Sequence, residues 1–275
     1  MQIYRGFDIG TAKLSIAARR GIPHHLLDFA DPEERFSAGD YARVARPAIA
    51  EMVGRGRVPV VVGGTGFYLR ALLDGLPDLP PRNDCLRQRF ARRSAAHLHR
   101  LLQRLETGTA QRLHANDRMR VERALEIRLL AGSAASSTLP GSAMPEFAVR
   151  KIGLFPPRED LYRRLNLRTE LMFREGLVEE VEALLARGVP ASAKPFEAVG
   201  YRQALAIVMG QSTVKEAVAA AQQATCNYAK RQITWFRHDL GIEPVFRFGD
   251  EFTAGALGPW PALREKETEI PPKCI

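Results

Sequence analysis

Cysteine is scarce in this chain. Cys85, Cys226 and Cys274 are the only three in 275 residues, with no C-x-x-C pair and no histidine at metal spacing. That excludes a disulfide framework and a thiolate zinc centre. Lysine is scarce too, confined to positions 13, 151, 194, 215, 230, 266 and 273, so arginine carries most of the net charge of +9. Long apolar runs are missing. Val58 to Val62, with Pro59 inside it, and the six residues Ala204 to Met209 fall far short of the roughly 20 residues of a membrane span. The first 20 residues hold Arg5, Asp8, Lys13, Arg19 and Arg20 without an apolar core. No secretory signal is legible there, and the cytoplasm is the expected compartment. The chain also has no Gly-Lys dipeptide, hence no G-x-x-x-x-G-K-[ST] loop, and no H-E-x-x-H or G-x-S-x-G. Hydrolase and zinc-enzyme readings have nothing to rest on.

What is present is ordinary globular material, 45% hydrophobic with a mean hydropathy of −0.20, enough for a core. The basic balance favours a polyanionic partner, although an arginine- and alanine-rich composition explains part of it. Ser37 to Arg55 reads as an amphipathic helix with Tyr41, Val44, Ala45, Ala48, Ile49 and Met52 on one face and Arg43, Arg46 and Glu51 pointing away. Val58 to Val62 then reads as a parallel strand buried on both faces. A glycine turn and a helix from Phe67 to Leu73 follow it. Helix, strand, turn, helix is the rhythm of an α/β fold.

Residues 84–131 read as helical throughout, and Gly132 to Pro145 as a loop. The organisation expected is an α/β core of residues 1–81 and 146–275 with an inserted helical subdomain at 82–145. In the second half a short strand at Ile152 to Phe155 precedes helices at 158–175, 177–187 and 202–210. Thr213 with Glu216 forms a capping box for a last helix, 213–238. The tail after Gly241 reads as loosely packed.

Five stretches can carry chemistry. Asp8 to Lys13 clusters a carboxylate, a hydroxyl and an ammonium around Gly10, although alone it reads equally as a surface turn. In Gly63-Gly64-Thr65-Gly66 a strand-to-helix turn aims backbone N–H groups outward at the positive end of a helix, which suits phosphate or pyrophosphate. For a lone turn of this kind, simple geometry is the commoner reason for the glycines. Asn116 to Arg123 opens a helix with Arg120 and Arg123 three apart on one face. That face can meet RNA or be a solvated face balanced by Glu122 and Glu126. Glu197 to Arg202 sets an aromatic and an arginine after a glycine. Lys230 to Arg237 interleaves basic and aromatic residues as nucleic-acid surfaces do, with Trp235 and Phe236 read as core.

Taken in order, these segments resemble one family. Gln2 to Lys13, His24-His25-Leu26-Leu27-Asp28, Phe36-Ser37-Ala38, Gly63 to Tyr68, Val199 to Arg202 and Ala229 to Arg237 resemble the successive motifs of the tRNA dimethylallyltransferases over about residues 1–240. The resemblance implies a P-loop-NTPase-like α/β core with an inserted helical subdomain. It also implies Mg²⁺ and transfer of a prenyl group from dimethylallyl diphosphate to N6 of the adenosine 3′ to the anticodon.

By family position Thr65 is the catalytic residue and contacts the diphosphate, with Gly63, Gly64, Lys230 and Arg231 around it. Met1, Gln2, Arg87, Met119, Arg120, Val121, Glu122, Arg123, Glu197, Ala198, Val199, Gly200, Tyr201 and Arg202 fall where the family touches tRNA. Met1 and Gln2 stand in the last two places of the family's D-S-x-Q. The motif's aspartate, the phosphate loop and the first strands are therefore expected to be missing. Cys226 stands where an arginine is usual, and a thiol does not replace a guanidinium against phosphate. A metal site is not assignable from the residues. The expected partners are the anticodon stem-loop of tRNA and dimethylallyl diphosphate, with no membrane, and the chain is expected to be a monomer. Two rival readings are a tRNA-binding remnant without catalysis and an adenylate isopentenyltransferase. The helical insertion and its basic stretch speak against the latter.

Overall fold

A computed structural model describes residues 1–132, 147–239 and 241–246. The loop expected over Gly132 to Pro145 lies, apart from Gly132, outside them, as does the tail beyond Phe246. The chain separates into two compact units, one of residues 1–72 with 145–275, the other Leu73–Met144.

In the first unit, α1 (Ala38–Gly54) starts at a capping box in which the Ser37 hydroxyl and the Asp40 carboxylate each take the other's backbone N–H. It is followed by α2 (Gly66–Leu73). Arg46, expected on the outer face of α1, instead donates to the carbonyl of Leu72 from Nε at 3.1 Å and from Nη2 at 2.9 Å. It thus satisfies an orphan acceptor at the end of α2.

The strand β1 (Lys151–Leu154) pairs in parallel with β2 (Ile242–Val245). Between them run α7 (Arg158–Arg174), α8 (Leu177–Ala186), α9 (Tyr201–Val208) and α10 (Val214–Arg237). Parallel strands joined through helices make this an α/β unit. The segment taken for the start of a loose tail is β2, ordered by its hydrogen bonds to β1.

The core of this unit gathers Tyr4, Phe7, Ala30, Leu177, Val181, Leu184, Phe196 and Tyr201. The Phe7 ring lies 5.2 Å from that of Phe196 and 4.8 Å from that of Tyr201. Burial of each such ring contributes about 1.5–3 kcal/mol. It ties the first 30 residues to α8 and α9.

The strand expected at Val58 to Val62 does not form. Those residues have no regular structure, and Val60 and Val62 are 66% and 88% exposed. A strand exists only through a neighbour that takes its N–H and C=O groups. Among the described residues only β1 and β2 form a sheet, so β-branched composition alone does not order this run.

The second unit is helical, with α3 (Asp84–Ala91), α4 (Ala95–Leu105), α5 (Thr107–Arg112) and α6 (Arg118–Ala131). Asn83, Ser94 and Asp117 cap α3, α4 and α6 by accepting from backbone N–H groups. Phe90, Leu98, Leu102, Val121 and Leu125 close its own core. This compact unit begins at Leu73, where the sequence places the insertion from 82. Among the described residues no helix is long and apolar enough to cross a membrane.

Candidate active site

The glycine turn and α10 are made for each other. Gln232 Nε2 donates to the Gly64 carbonyl at 2.7 Å, and a Cβ on Gly64 would overlap that same amide. A Cβ on Gly66 would overlap the Trp235 indole nitrogen. Neither glycine has a positive φ, so close approach of α10, not backbone conformation, is what requires them. Thr65 stands exposed between them, its Oγ1 3.3 Å from the hydroxyl of Tyr228. Gly63 is exposed.

Beside this turn lies a cleft of about 620 Å³ lined by Arg70, Asn227, Lys230, Arg231, Thr234, Trp235 and His238. Six of these come from one face of α10, at the i, i+3, i+4, i+7, i+8 and i+11 spacing of a helical stripe. Arg70 reaches in from α2, its guanidinium carbon 4.8 Å from the centre of the Trp235 ring. Arg231 lies 5.6 Å over Tyr228, which links the cleft to Thr65. The lining contains no carboxylate. Among the described residues Arg70, Lys230 and Arg231 form no ion pair. Three unpaired cations converging on one cavity repel one another, and an anion relieves that repulsion.

Thr65, Lys230 and Arg231 are therefore brought together from distant parts of the chain. The sequence reading missed Arg70, Asn227, Tyr228 and His238, although the α10 stripe was available as a signal. Trp235, expected in the core, is half-buried and forms a wall of the cleft under Arg70. Cys226 faces away, its Sγ 3.5 Å from Asn166 Oδ1 on α7.

The residues assigned to tRNA contact fall into three groups. Met119 is 75% exposed, and Arg120, 74% exposed, pairs only with Asp117 at 3.2 Å. Glu197, beside Lys194, and Arg202 are also at the surface. Met1 is exposed, and Gln2 is half-buried with its Nε2 donating to the carbonyls of Thr11 and Ala12 at 3.0 and 3.2 Å.

A second group has its polar atoms committed within the protein. Glu126 is fully buried, not on a solvated face. It accepts from the Asn83 N–H at 2.6 Å, from Arg87 at 3.1 and 3.2 Å and from Arg123 at 2.6 Å. Burial alone would raise its pKa. The bonds from Arg87, Asn83 and Arg123 outweigh burial and bring it down to about 2. Arg123 also donates to the Pro80 carbonyl at 2.7 Å, and Glu122 accepts from Arg118 at 2.6 Å. Arg120 and Arg123 therefore do not act as a pair: one faces water and the other clasps a buried acid.

The third group is held in the interior or in the backbone of a turn. Val121 and Tyr201 are fully buried, which closes their side chains to a macromolecule. Ala198 and Val199 are half-buried, and Gly200 takes a φ of +93° that admits α9 at that angle.

The arrangement is that of an α/β protein with a cleft whose lining is basic and free of carboxylates. The profile of the family described as IPP transferase matches residues 2–239, and the chain belongs to that family. It is 52% identical over 255 residues to the tRNA dimethylallyltransferase of Solibacter usitatus, covering 91% of this chain and 83% of that protein. The solved tRNA isopentenylpyrophosphate transferase of Bacillus halodurans superposes with a TM-score of 0.63 at 36% identity. The match covers 89% of this chain and 78% of that one. A eukaryotic dimethylallyltransferase acting on tRNA shares the fold, with a TM-score of 0.71 at 23% identity over 89% of this chain and 65% of its own.

Proposed function

We propose that the chain transfers a dimethylallyl group from dimethylallyl diphosphate to N6 of the adenosine 3′ to the anticodon of tRNA. The observation that carries this reading is the acid-free cleft, in which Lys230, Arg231 and Arg70 converge beside the Thr65 turn. Family membership and the names of the relatives support it. In the transfer the bond from the allylic carbon to the diphosphate oxygen breaks and the electron pair leaves with oxygen. The N6 lone pair takes the carbon, and the proton that N6 loses passes to water. Negative charge grows on the departing diphosphate, and fixed cations and donors in a desolvated cleft stabilise that charge most as the bond breaks. Lys230 and Arg231 fill this role, and the Thr65 hydroxyl, braced by Tyr228, donates to the diphosphate.

The implied metal, Mg²⁺, is bound elsewhere through one or two carboxylates and substrate phosphates. Among the described residues no three His, Cys, Asp or Glu groups converge, and the cleft lining has no carboxylate. These residues do not fit the ion, and no step is routed through it.

The helical unit 73–144 is read as a tRNA-contacting surface through Met119 and Arg120. Glu197 and Arg202 form a second exposed contact, and Gln2 holds the target base. The protein acts as a monomer in the cytoplasm on this reading. The test is mass spectrometry of nucleosides from tRNA incubated with the chain, dimethylallyl diphosphate and Mg²⁺, with pyrophosphate and stem-loop binding measured alongside. Prenylated adenosine supports the proposal. Its absence together with no binding of either ligand overturns it. Stem-loop binding without transfer favours a tRNA-binding remnant.

A further inference from the structure

Within the Val199 to Arg202 motif, Tyr201 finds no use as a direct RNA contact, because it is fully buried. Its hydroxyl is nevertheless committed to two partners that bear on residues 8–10. It accepts from the Gly10 N–H at 3.1 Å and donates to the Glu180 carboxylate. Glu180 also accepts from the N–H of Asp8 at 3.2 Å and of Ile9 at 2.7 Å. Three successive backbone donors are thus gripped by one carboxylate and one phenol from α8 and α9. The fit is close, since a Cβ on Gly10 would lie 2.5 Å from the Tyr201 ring.

The grip extends along the chain to Gln2. Lys13, whose side chain is 3% exposed, bonds Asp8 at 2.6 Å, Asp28 at 2.5 Å and the Tyr4 carbonyl at 2.9 Å. Ala12 and Asp28 are held at φ of +49° and +52°, a left-handed conformation that non-glycine residues keep only when their surroundings enforce it. The carbonyls of Thr11 and Ala12 in this turn are the acceptors for Gln2 Nε2. Both amide hydrogens of Gln2 are thereby used, and Oε1 remains to accept from a ligand.

We propose that Glu180 and Tyr201 are positioning residues. They hold the turn 8–13 so that its carbonyls orient the Gln2 amide with its acceptor toward the target base. This rests on the reading of Gln2 as the group that holds that base. A free amide oxygen selects a base edge that donates, such as the exocyclic amine of adenine, over one without the amine.

Burial and the hydrogen bond to Glu180 both push the Tyr201 phenol upward, so it stays a donor to Glu180 throughout the accessible pH range. Tyr201→Phe keeps the ring in the core and removes both the donor to Glu180 and the acceptor for the Gly10 N–H. Glu180→Gln keeps the shape and removes the charge that gathers the three donors.

The experiment compares the 275-residue chain with its Glu180→Gln and Tyr201→Phe variants. The first readout is amide hydrogen exchange. The second is binding to two anticodon stem-loops that carry adenosine or purine riboside at the target position. Exchange in residues 8–13 is expected to rise about tenfold or more in each variant with α10 unchanged, as for a local opening. The preference for adenosine over purine riboside is expected to fall about fivefold, the worth of one hydrogen bond. The salt dependence of binding, set by phosphate contacts, should stay as it is.

Unchanged exchange in residues 8–13, or loosened exchange with the preference intact, overturns the inference alone. A wild-type chain that shows no preference, or does not bind the stem-loop, overturns the reading of Gln2 and this inference with it. The exchange result then shows separately whether the Glu180 tie exists.

Discussion

The arginines of the helical unit and those of the cleft carry the same charge and do opposite things. Arg87 and Arg123 converge on Glu126, which is fully buried and accepts four hydrogen bonds. Arg70, Lys230 and Arg231 converge on a cavity with no acid in its lining. In the first region the anion is part of the fold, so the cations hold α3 to α6 and the segment before α3. In the second no carboxylate lines the cavity, so the cations stay unpaired among the described residues. A basic residue therefore reads as functional here by what it lacks as a partner, not by its place in a basic stretch.

The largest test of the contrast is removal of the internal anion. Glu126→Gln leaves two guanidinium groups facing a neutral amide in a buried site, and losing one member of such a cluster costs about 3–5 kcal/mol. Chemical denaturation of the helical unit should show a loss of that size.

The same group makes a pH prediction. The Glu126 pKa in the folded chain, about 2, lies below its usual 4.5. Its contribution is thus fully present above pH 4.5 and disappears as pH falls from 4.5 through 2. Acid unfolding that ignores Glu126→Gln over that window would show that the pair carries no linkage.

Removal of a cleft cation should do the reverse. Arg231→Ala is expected to leave stability nearly unchanged. It should weaken pyrophosphate binding about tenfold to a hundredfold, as for loss of a charge-assisted bond of roughly 1.5–3 kcal/mol. Calorimetric titration with inorganic pyrophosphate reads this. A stability loss with intact binding would move Arg231 into the structural class.

A subtler test separates the walls of the cleft from its charges. Gly66→Ala forces a Cβ into Trp235, and overpacking of that kind costs about 1–3 kcal/mol. Because Trp235 also carries Arg70, anion affinity should fall with stability, whereas Arg231→Ala uncouples the two. The smallest effect belongs to Arg120. Exposed and paired only to Asp117, it should cost under about 0.5 kcal/mol when changed to Ala. The logarithmic salt slope of stem-loop binding should drop by about 0.7–0.9, one phosphate's worth. Arg123→Ala should instead destabilise the helical unit. Equal salt slopes for the two variants would erase the distinction between them.

The sequence by itself determined where several helices begin and end, since caps and periodicity act within a few residues, but it did not divide 84–131 into α3 to α6. The Thr213–Glu216 box opens α10, and Gly54 and Gly56 close α1, as local chemistry requires. The order of motifs likewise sufficed to recognise the family, and the fold brings Thr65, Lys230 and Arg231, named from that order, beside one cleft. The tertiary structure decided what depends on partners far along the chain. Val58 to Val62 is no strand because nothing among the described residues pairs with it, and Ile242 to Val245 is one because β1 does. Arg123 is a clasp and Arg120 stays at the surface beside Asp117 although they share a helix, because of the two only Arg123 meets the buried Glu126. Gly64 and Gly66 are glycines because side chains some 170 residues away occupy the space of a Cβ. Hydrogen bonding and packing between distant segments carry no local signature, and charge and burial at these positions were set there.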